Sequence, residues 1–127
     1  MKIGFIGLGH MGNPMVKNLL KSGFAVEVYD VMPEAMSAVV SAGAVSANSV
    51  SELANDCEVI FIMVQTGEQV SEICLTKGLF QHAKKNTLII DASSIDVETS
   101  RGLHKKAIEF GLVMVDAPVS GGVAGAT

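Results

Sequence analysis

The chain has 127 residues, which suffices for one ordinary domain and leaves no room for a second of similar size. Hydrophobic residues make up 49% and charged residues 17%, so the chain can bury a core and is not a disordered tail. A net charge of −4, with no basic block longer than Lys84-Lys85 or Lys105-Lys106, lacks the clustered positive charge that a duplex footprint needs.

The longest uninterrupted apolar run, Val59 to Val64, is far short of a bilayer span. The apolar stretch after Met1-Lys2 is broken by glycines and then by Asn13 and Pro14, so it does not read as a signal peptide. Neither nucleic acid nor membrane is expected as a partner, and the expected location is the cytoplasm or an organelle matrix. Cys57 and Cys74 form neither a CxxC pair nor a Cys/His cluster. They read as buried small hydrophobes of a reduced protein, with a disulfide as the lesser alternative.

In chain order, Lys2–Ile6 is short, apolar and ends at glycine, which predicts a buried strand. Met11–Lys21 puts Met11, Met15, Leu19 and Leu20 on one helical face, and Ser22-Gly23 stops it. Ala25–Tyr29 is the next strand, with Asp30 at its carboxyl end. Pro33 suits a first helical turn, and Pro33–Ala42 closes on Gly43. Ala44–Ser46 reads as a short third strand. Ser49-Val50-Ser51-Glu52 fits a capping box that opens a helix through about Asn55. Glu58–Val64 is the most apolar strand and is expected mid-sheet with both faces covered. Helical segments follow at Glu68–Leu75 and near Leu79–Ala83, then a strand at Thr87–Ile90. Asp96 is placed to cap a long helix, Val97–Phe110, which ends at Gly111, and Leu112–Val115 is the last strand.

This alternation predicts an α/β fold, a doubly wound parallel sheet with helices on both faces, in the Rossmann-type dinucleotide-binding arrangement. The domain is expected over residues 1–116. Residues 117–127 are rich in small side chains and read as a tail, an interdomain turn or a loop.

Gly7-Leu8-Gly9-His10-Met11-Gly12 is a G-x-G-x-x-G whose context makes it specific. It follows a strand, opens a helix, and has an aspartate about 20 residues further on at the end of the next strand. Gly7 permits a tight turn, Gly9 lets backbone approach a pyrophosphate, and Gly12 lets the helix pack on the strand. The helix N-terminus supplies N–H donors and positive dipole, so Gly7 to Gly12 is the candidate dinucleotide site. A glycine-rich turn without ligand is the bland alternative. Asp30 can accept hydrogen bonds from both hydroxyls of an adenosine ribose. Val31 and Met32 offer no positive charge for a 2′-phosphate, so NAD is the expected cofactor. Its bland alternative is a cap for the helix at Pro33.

Val64-Gln65-Thr66 and Asp91-Ala92-Ser93-Ser94 fall at strand ends on the same sheet edge, where ligands sit in doubly wound folds. Contact with ribose or nicotinamide and ordinary capping stand level there. The last strand delivers Asp116-Ala117-Pro118-Val119-Ser120-Gly121-Gly122 to that edge. Ser120 with the N–H groups of Gly121 and Gly122 makes a plausible carboxylate cradle. His10, His82 and His104 are scattered without metal spacing, and no metal is expected. His104 reads as solvated on its helix, and no nucleophile–base pair suggests itself.

The segment from Gly4 to Met15, Gly-Phe-Ile-Gly-Leu-Gly-His-Met-Gly-Asn-Pro-Met, resembles the amino-terminal signature of the β-hydroxyacid dehydrogenases. Tyr29-Asp30-Val31-Met32-Pro33 resembles the 3-hydroxyisobutyrate dehydrogenase branch. Asp91 to Asp96 and Asp116 to Gly122 match two more family motifs in order and spacing, so the resemblance covers the whole chain. It implies an NAD-dependent oxidation of 3-hydroxyisobutyrate to methylmalonate semialdehyde, a step of valine breakdown. Tartronate semialdehyde reductase is the rival within the enzyme class, and a non-catalytic NAD-binding fragment is the rival outside it. By motif position, the glycine turn (Gly7, Leu8, Gly9, His10, Met11, Gly12) and Asp30 hold adenosine diphosphate. Val64, Gln65 and Gln69 line the cofactor, and Ser94 reaches its nicotinamide side. Ser120, Gly121 and Gly122 hold the substrate carboxylate. The family usually has Leu-Pro where Val64-Gln65 stands, and often Asn where Gln69 stands. Family members are more than twice as long, with a catalytic lysine and a dimer-building helical domain beyond residue 127. The resemblance therefore implies a cofactor domain with no catalytic residue of its own, and a homo-oligomeric parent.

Overall fold

The computed structural model describes residues 2–93 and 95–117, and the side chains of Gly9 and His10 are not among the described ones. The described residues form six strands: β1 (Lys2–Ile6), β2 (Ala25–Tyr29), β3 (Val45–Ser46), β4 (Val59–Ile62), β5 (Leu88–Asp91) and β6 (Val113–Asp116). The helices are α1 (Gly9–Lys21), α2 (Pro33–Ser41), α3 (Val50–Asp56), α4 (Gly67–Ser71), α5 (Leu79–His82) and α6 (Val97–Glu109). Helix α4 runs straight into a π-helical turn, Glu72–Thr76. All strand pairs are parallel, in the order β3-β2-β1-β4-β5-β6. This is the expected doubly wound α/β sheet.

Boundaries moved by a residue or two at most elements, as is usual for fraying ends. The larger shifts have causes. Helix α1 starts at Gly9, two residues early, because the glycine turn itself winds into the first turn of helix. Strand β4 is confined to Val59–Ile62, because its ladder partners on β1 and β5 end there. The box expected at Ser49 is half made. Ser49 Oγ accepts from Glu52 N at 3.1 Å, but the Glu52 carboxylate accepts from Asn48 Nδ2 at 3.3 Å instead of returning to the cap.

Right-handed crossovers put α1 and α2 on one face and α3 to α6 on the other. The first layer holds Phe5, Val16, Val28 and Val39, with the Phe5 and Phe61 rings stacked at 5.4 Å. The second holds Leu53, Ile60, Ile62, Leu79, Ile89 and Leu103, with both cysteines buried as free thiols. The expectation that β4 is covered on both faces needs correction: Ile60 and Ile62 are fully buried, while Val59 and Phe61 on the reverse face are half-buried. Helices α1 and α2 connect β1 to β2 and β2 to β3, away from β4, so they leave this half of the sheet thinly covered. Val113 and Val115 on the edge strand are exposed.

Helix α3 crosses directly over Gly4, where a β-carbon would collide with Leu53 Cδ2 and sit 3.0 Å from Cys57 Sγ. That approach brings Glu52 and Asp56 up to the buried Glu27, with carboxylate oxygens within 4.8 Å of one another. Lys2 Nζ lies 3.2 Å from Glu27 Oε1 as counter-charge. Gly4→Ala should lower stability by about 1–3 kcal/mol through overpacking. Gly102, on the exposed side of α6, meets nothing within 4 Å, so Gly102→Ala should raise stability by about 0.5–1 kcal/mol. Urea unfolding midpoints of the two variants should move in opposite directions.

Candidate functional site

The site grows from the turn between β1 and α1. Gly7 has φ +86°, a backbone conformation that L side chains rarely adopt. A β-carbon there would strike the carbonyl oxygen of Met63 and come within 2.8 Å of Val64 Cγ1. At Gly12 it would lie 3.0 Å from the Gly7 carbonyl and 3.1 Å from the Phe5 ring. The turn is thus pressed against the end of β4 from one side and against its own strand from the other. Helix α1 opens from it with no side-chain cap and no acidic residue in its first turn. The first N–H groups of a helix have no intrahelical acceptor, and they carry the positive end of its dipole. A bare cradle of this kind fits a pyrophosphate.

Asp30 stands opposite, at the end of β2. Its Oδ2 accepts from Leu8 N at 2.8 Å and its Oδ1 from Met32 N at 2.9 Å. Met32 is the N-cap residue of α2, so one oxygen of Asp30 ties the glycine turn while the other orders the approach to α2. Each carboxylate oxygen has a second acceptor site, and these remain for ribose hydroxyls. Val31 and Met32 beside it are exposed and apolar.

Between these walls lies a cleft of ≈ 590 Å³, within the usual range for a small-molecule site. It brings together Gly7, Leu8, Met11, Asp30, Val64, Gln65 and Gln69 from the sequence reading, while Gly12 packs against Phe5 and is not part of the lining. Ser94, Ser120, Gly121, Gly122 and the side chain of His10 lie outside the described residues. Tyr29, Glu72, Ile73 and Lys77 also line the cleft and were not foreseen. Tyr29 adjoins Asp30 and was legible from position, whereas the other three are delivered by the π-turn, which no periodicity announces.

Gln69 has a second duty. Its Oε1 accepts from Gln65 N at 2.9 Å and from Thr66 N at 3.0 Å, while Thr66 Oγ1 accepts from Gln69 N at 3.1 Å. This is a complete capping box. Its signal, Thr66 followed three residues later by glutamine, was present in the sequence. The capping reading of this loop is thus met, and the same loop lines the cleft.

Ser93 fastens the two loops together. Its Oγ accepts from Val64 N at 2.8 Å and donates to Ile62 O at 3.4 Å, while Ser93 N donates to Asp91 Oδ1 at 2.9 Å. The Asp91 carboxyl is fully buried, and its Oδ2 has no partner among the described residues. Burial pushes its pKa above the ordinary carboxyl range, against the hydrogen bonds from Ser93. His104 is not solvated as expected. It is half-buried, with Nε2 3.2 Å from Asp116 Oδ1 and 3.5 Å from Ser100 Oγ, because α6 packs along β6. Ser100 Oγ donates to Asp116 Oδ2 at 2.6 Å. Serine and histidine thus both engage one carboxylate, an anchor for the end of β6 and not a nucleophile–base pair. Lys105 and Lys106 are exposed.

A doubly wound sheet with a glycine cradle at the carboxyl end of β1 and an acidic residue at the end of β2 defines a dinucleotide-binding domain. Residues 2–127 match the family described as the NAD binding domain of 6-phosphogluconate dehydrogenase. The NAD-dependent L-serine dehydrogenase of Pseudomonas aeruginosa is 42% identical over 126 residues, which cover 98% of this chain and 42% of that protein. Human mitochondrial 3-hydroxyisobutyrate dehydrogenase is 42% identical over 125 residues, covering 98% of this chain and 37% of its own length. The solved structure of Mycobacterium tuberculosis 3-hydroxyisobutyrate dehydrogenase with L-serine superposes with a TM-score of 0.92 at 37% identity, covering 97% of this chain and 42% of that one. The chain belongs to this NAD-binding family, and it spans about two fifths of the length of these relatives.

The raised Asp91 pKa makes stability pH-dependent. A carboxyl whose folded pKa lies above its unfolded value binds more protons when folded. Its contribution is fully present below the unfolded aspartate range of about 4 and is lost as pH rises through the folded value. Asp91→Asn keeps a side-chain acceptor for Ser93 N and removes the charge. Melting temperatures followed upward from about pH 4 should fall less steeply in Asp91→Asn than in the parent.

Proposed function

We propose that this chain is the cofactor-binding part of an NAD-dependent dehydrogenase of small 3-hydroxy acids, with 3-hydroxyisobutyrate as substrate. The observation that carries the reading is the cradle: a turn closed to any β-carbon by Met63 and Gly7 itself, tied through Leu8 to Asp30. Gly7, Gly9 and Gly12 with the start of α1 hold the pyrophosphate, and Leu8, His10 and Met11 complete that turn. Asp30 takes the ribose hydroxyls, Val64, Gln65 and Gln69 line the cofactor, and Ser94 is assigned to its nicotinamide side. Residues 1–116 form this domain. Residues 117–127 open the substrate segment, in which Ser120, Gly121 and Gly122 hold the substrate carboxylate.

Bound NAD supplies the hydride acceptor for the carbinol carbon. The base that takes the hydroxyl proton is a lysine of a separate helical domain, which also builds the oligomer, in the cytoplasm or an organelle matrix. The product is methylmalonate semialdehyde, in valine breakdown. L-serine is the second reading, because a serine dehydrogenase is as similar as the hydroxyisobutyrate enzymes and a solved relative was studied with L-serine. Both substrates are carboxylic acids with a hydroxyl on the third carbon, and the same cradle serves either.

Calorimetric titration with NAD and NADP tests the cofactor assignment. NAD should bind roughly tenfold or more tightly, since a 2′-phosphate placed about 4 Å from the Asp30 carboxylate meets a like charge only partly screened by solvent. Asp30→Ala should narrow that gap, and Gly9→Val should abolish NAD binding with little change in helix content. Equal affinity for the two cofactors in the parent would overturn the role given to Asp30. The chain by itself should reduce no NAD with either 3-hydroxyisobutyrate or L-serine, because general acid–base help is worth ~10²–10⁴-fold. Sustained turnover would place the base within these 127 residues.

A further inference from the structure

The cleft has one feature that the glycine cradle and Asp30 leave unused. Among the described residues lining it, Lys77 is the only cation, set against the two acidic residues Asp30 and Glu72. Its ammonium lies 5.6 Å from the centroid of the Tyr29 ring, which immediately precedes Asp30. Tyr29 is itself half-buried and packed against the core, so the ring is a fixed platform.

The backbone of Lys77 is held just as firmly. The chain switches from α4 into the π-turn, and Lys77 N donates to Glu72 O at 2.8 Å. Its own carbonyl accepts from Ser51 Oγ at 3.2 Å, across from α3. Gly78 follows at φ +87°, where a β-carbon would come within 2.9 Å of His82. Single π-turns inside helices are frequent at functional sites because they re-aim the residues that follow. Here the turn brings Ile73 and Lys77 to the same cleft that Val31 and Met32 line. Apolar side chains beside a fixed aromatic ring suit a flat ring as occupant. An ammonium at its edge is matched to a heterocycle whose ring nitrogens are acceptors.

We propose that Lys77 is a binding residue for the adenine of the dinucleotide, its aliphatic stem packing along the base and its ammonium, steadied over Tyr29, facing the ring nitrogens. This rests on the NAD reading above and adds a residue that the glycine motif does not contain. A lysine stem buries apolar area while its charged end stays solvated, so charge and packing contribute separately. The two contributions can be separated by substitution.

Titrate NAD, AMP and nicotinamide mononucleotide by calorimetry into the parent chain, Lys77→Ala and Lys77→Met, with circular dichroism to confirm the fold of each. Lys77→Ala should weaken NAD and AMP by the same factor, roughly three- to tenfold, and leave the mononucleotide unchanged. Lys77→Met keeps an apolar stem and should lose less than Lys77→Ala does. If the parent binds NAD and AMP, and both variants bind them equally well, the role given to Lys77 is wrong while the NAD reading stands. If Lys77→Ala weakens AMP and the mononucleotide alike, the lysine acts on the cleft as a whole, and the adenine assignment is overturned. A parent chain that binds neither NAD nor AMP overturns both readings together.

Discussion

Gly7 has no room for a side chain, and most of the site follows from that. Its missing β-carbon is what lets the turn after β1 lie against the Met63 carbonyl at the end of β4. On the other side, Gly7 N donates to Tyr29 O at 2.9 Å, so the same turn is fastened to the end of β2. Strands β1, β2 and β4 are neighbours in the centre of the sheet, and their ends converge on one residue. Any displacement of Gly7 would part β4 from β1 or tilt α1 off the sheet, and the cradle would open. The packing constraint and the binding constraint are one constraint there.

Outward from that point the polar groups act as fasteners. Asp30 ties Leu8 to Met32, Ser93 ties Val64 to Ile62, and Gln69 ties two successive N–H groups of its own loop. Each serves an element end whose backbone donors would otherwise lack acceptors, a cost of about 1–3 kcal/mol for a buried group. Such groups hold loops at the carboxyl edge without filling the cleft. Asp91 is the exception, fully buried with one oxygen unpartnered among the described residues. Ionising it there costs stability, which is why burial raises its pKa beside the loop that shapes the site.

The two halves of the sheet are finished differently. Strands β1 to β3 carry α1 and α2 on one face, while β5 and β6 have that face half-bare, with Val113 and Val115 exposed. The fault lies in no single residue. It follows from the handedness of the crossovers, which sends every helix after β3 to the opposite side.

Much of this was legible in the chain itself. The six strands, their order of type, the glycine turn and Asp30 are local signals: an apolar run, a breaker, a capping residue, a fixed spacing. Each depends on neighbours within a few positions, and each therefore survives in one dimension. What tertiary structure alone decided are the contacts between chain segments far apart. His104 read as a surface residue because its helix neighbours are charged, yet β6 returns beside α6 and sets Asp116 against it. Ser93 read as one polar residue of a loop, and only the pairing of β4 with β5 makes it the tie between two loops. Lys77 was invisible, since a π-turn of five residues is too short to show a period of its own in the sequence. Backbone conformation is chosen by short-range sterics and hydrogen bonds, which sequence displays. The partner of a side chain is chosen by which strands lie side by side, and that is settled only when the sheet closes.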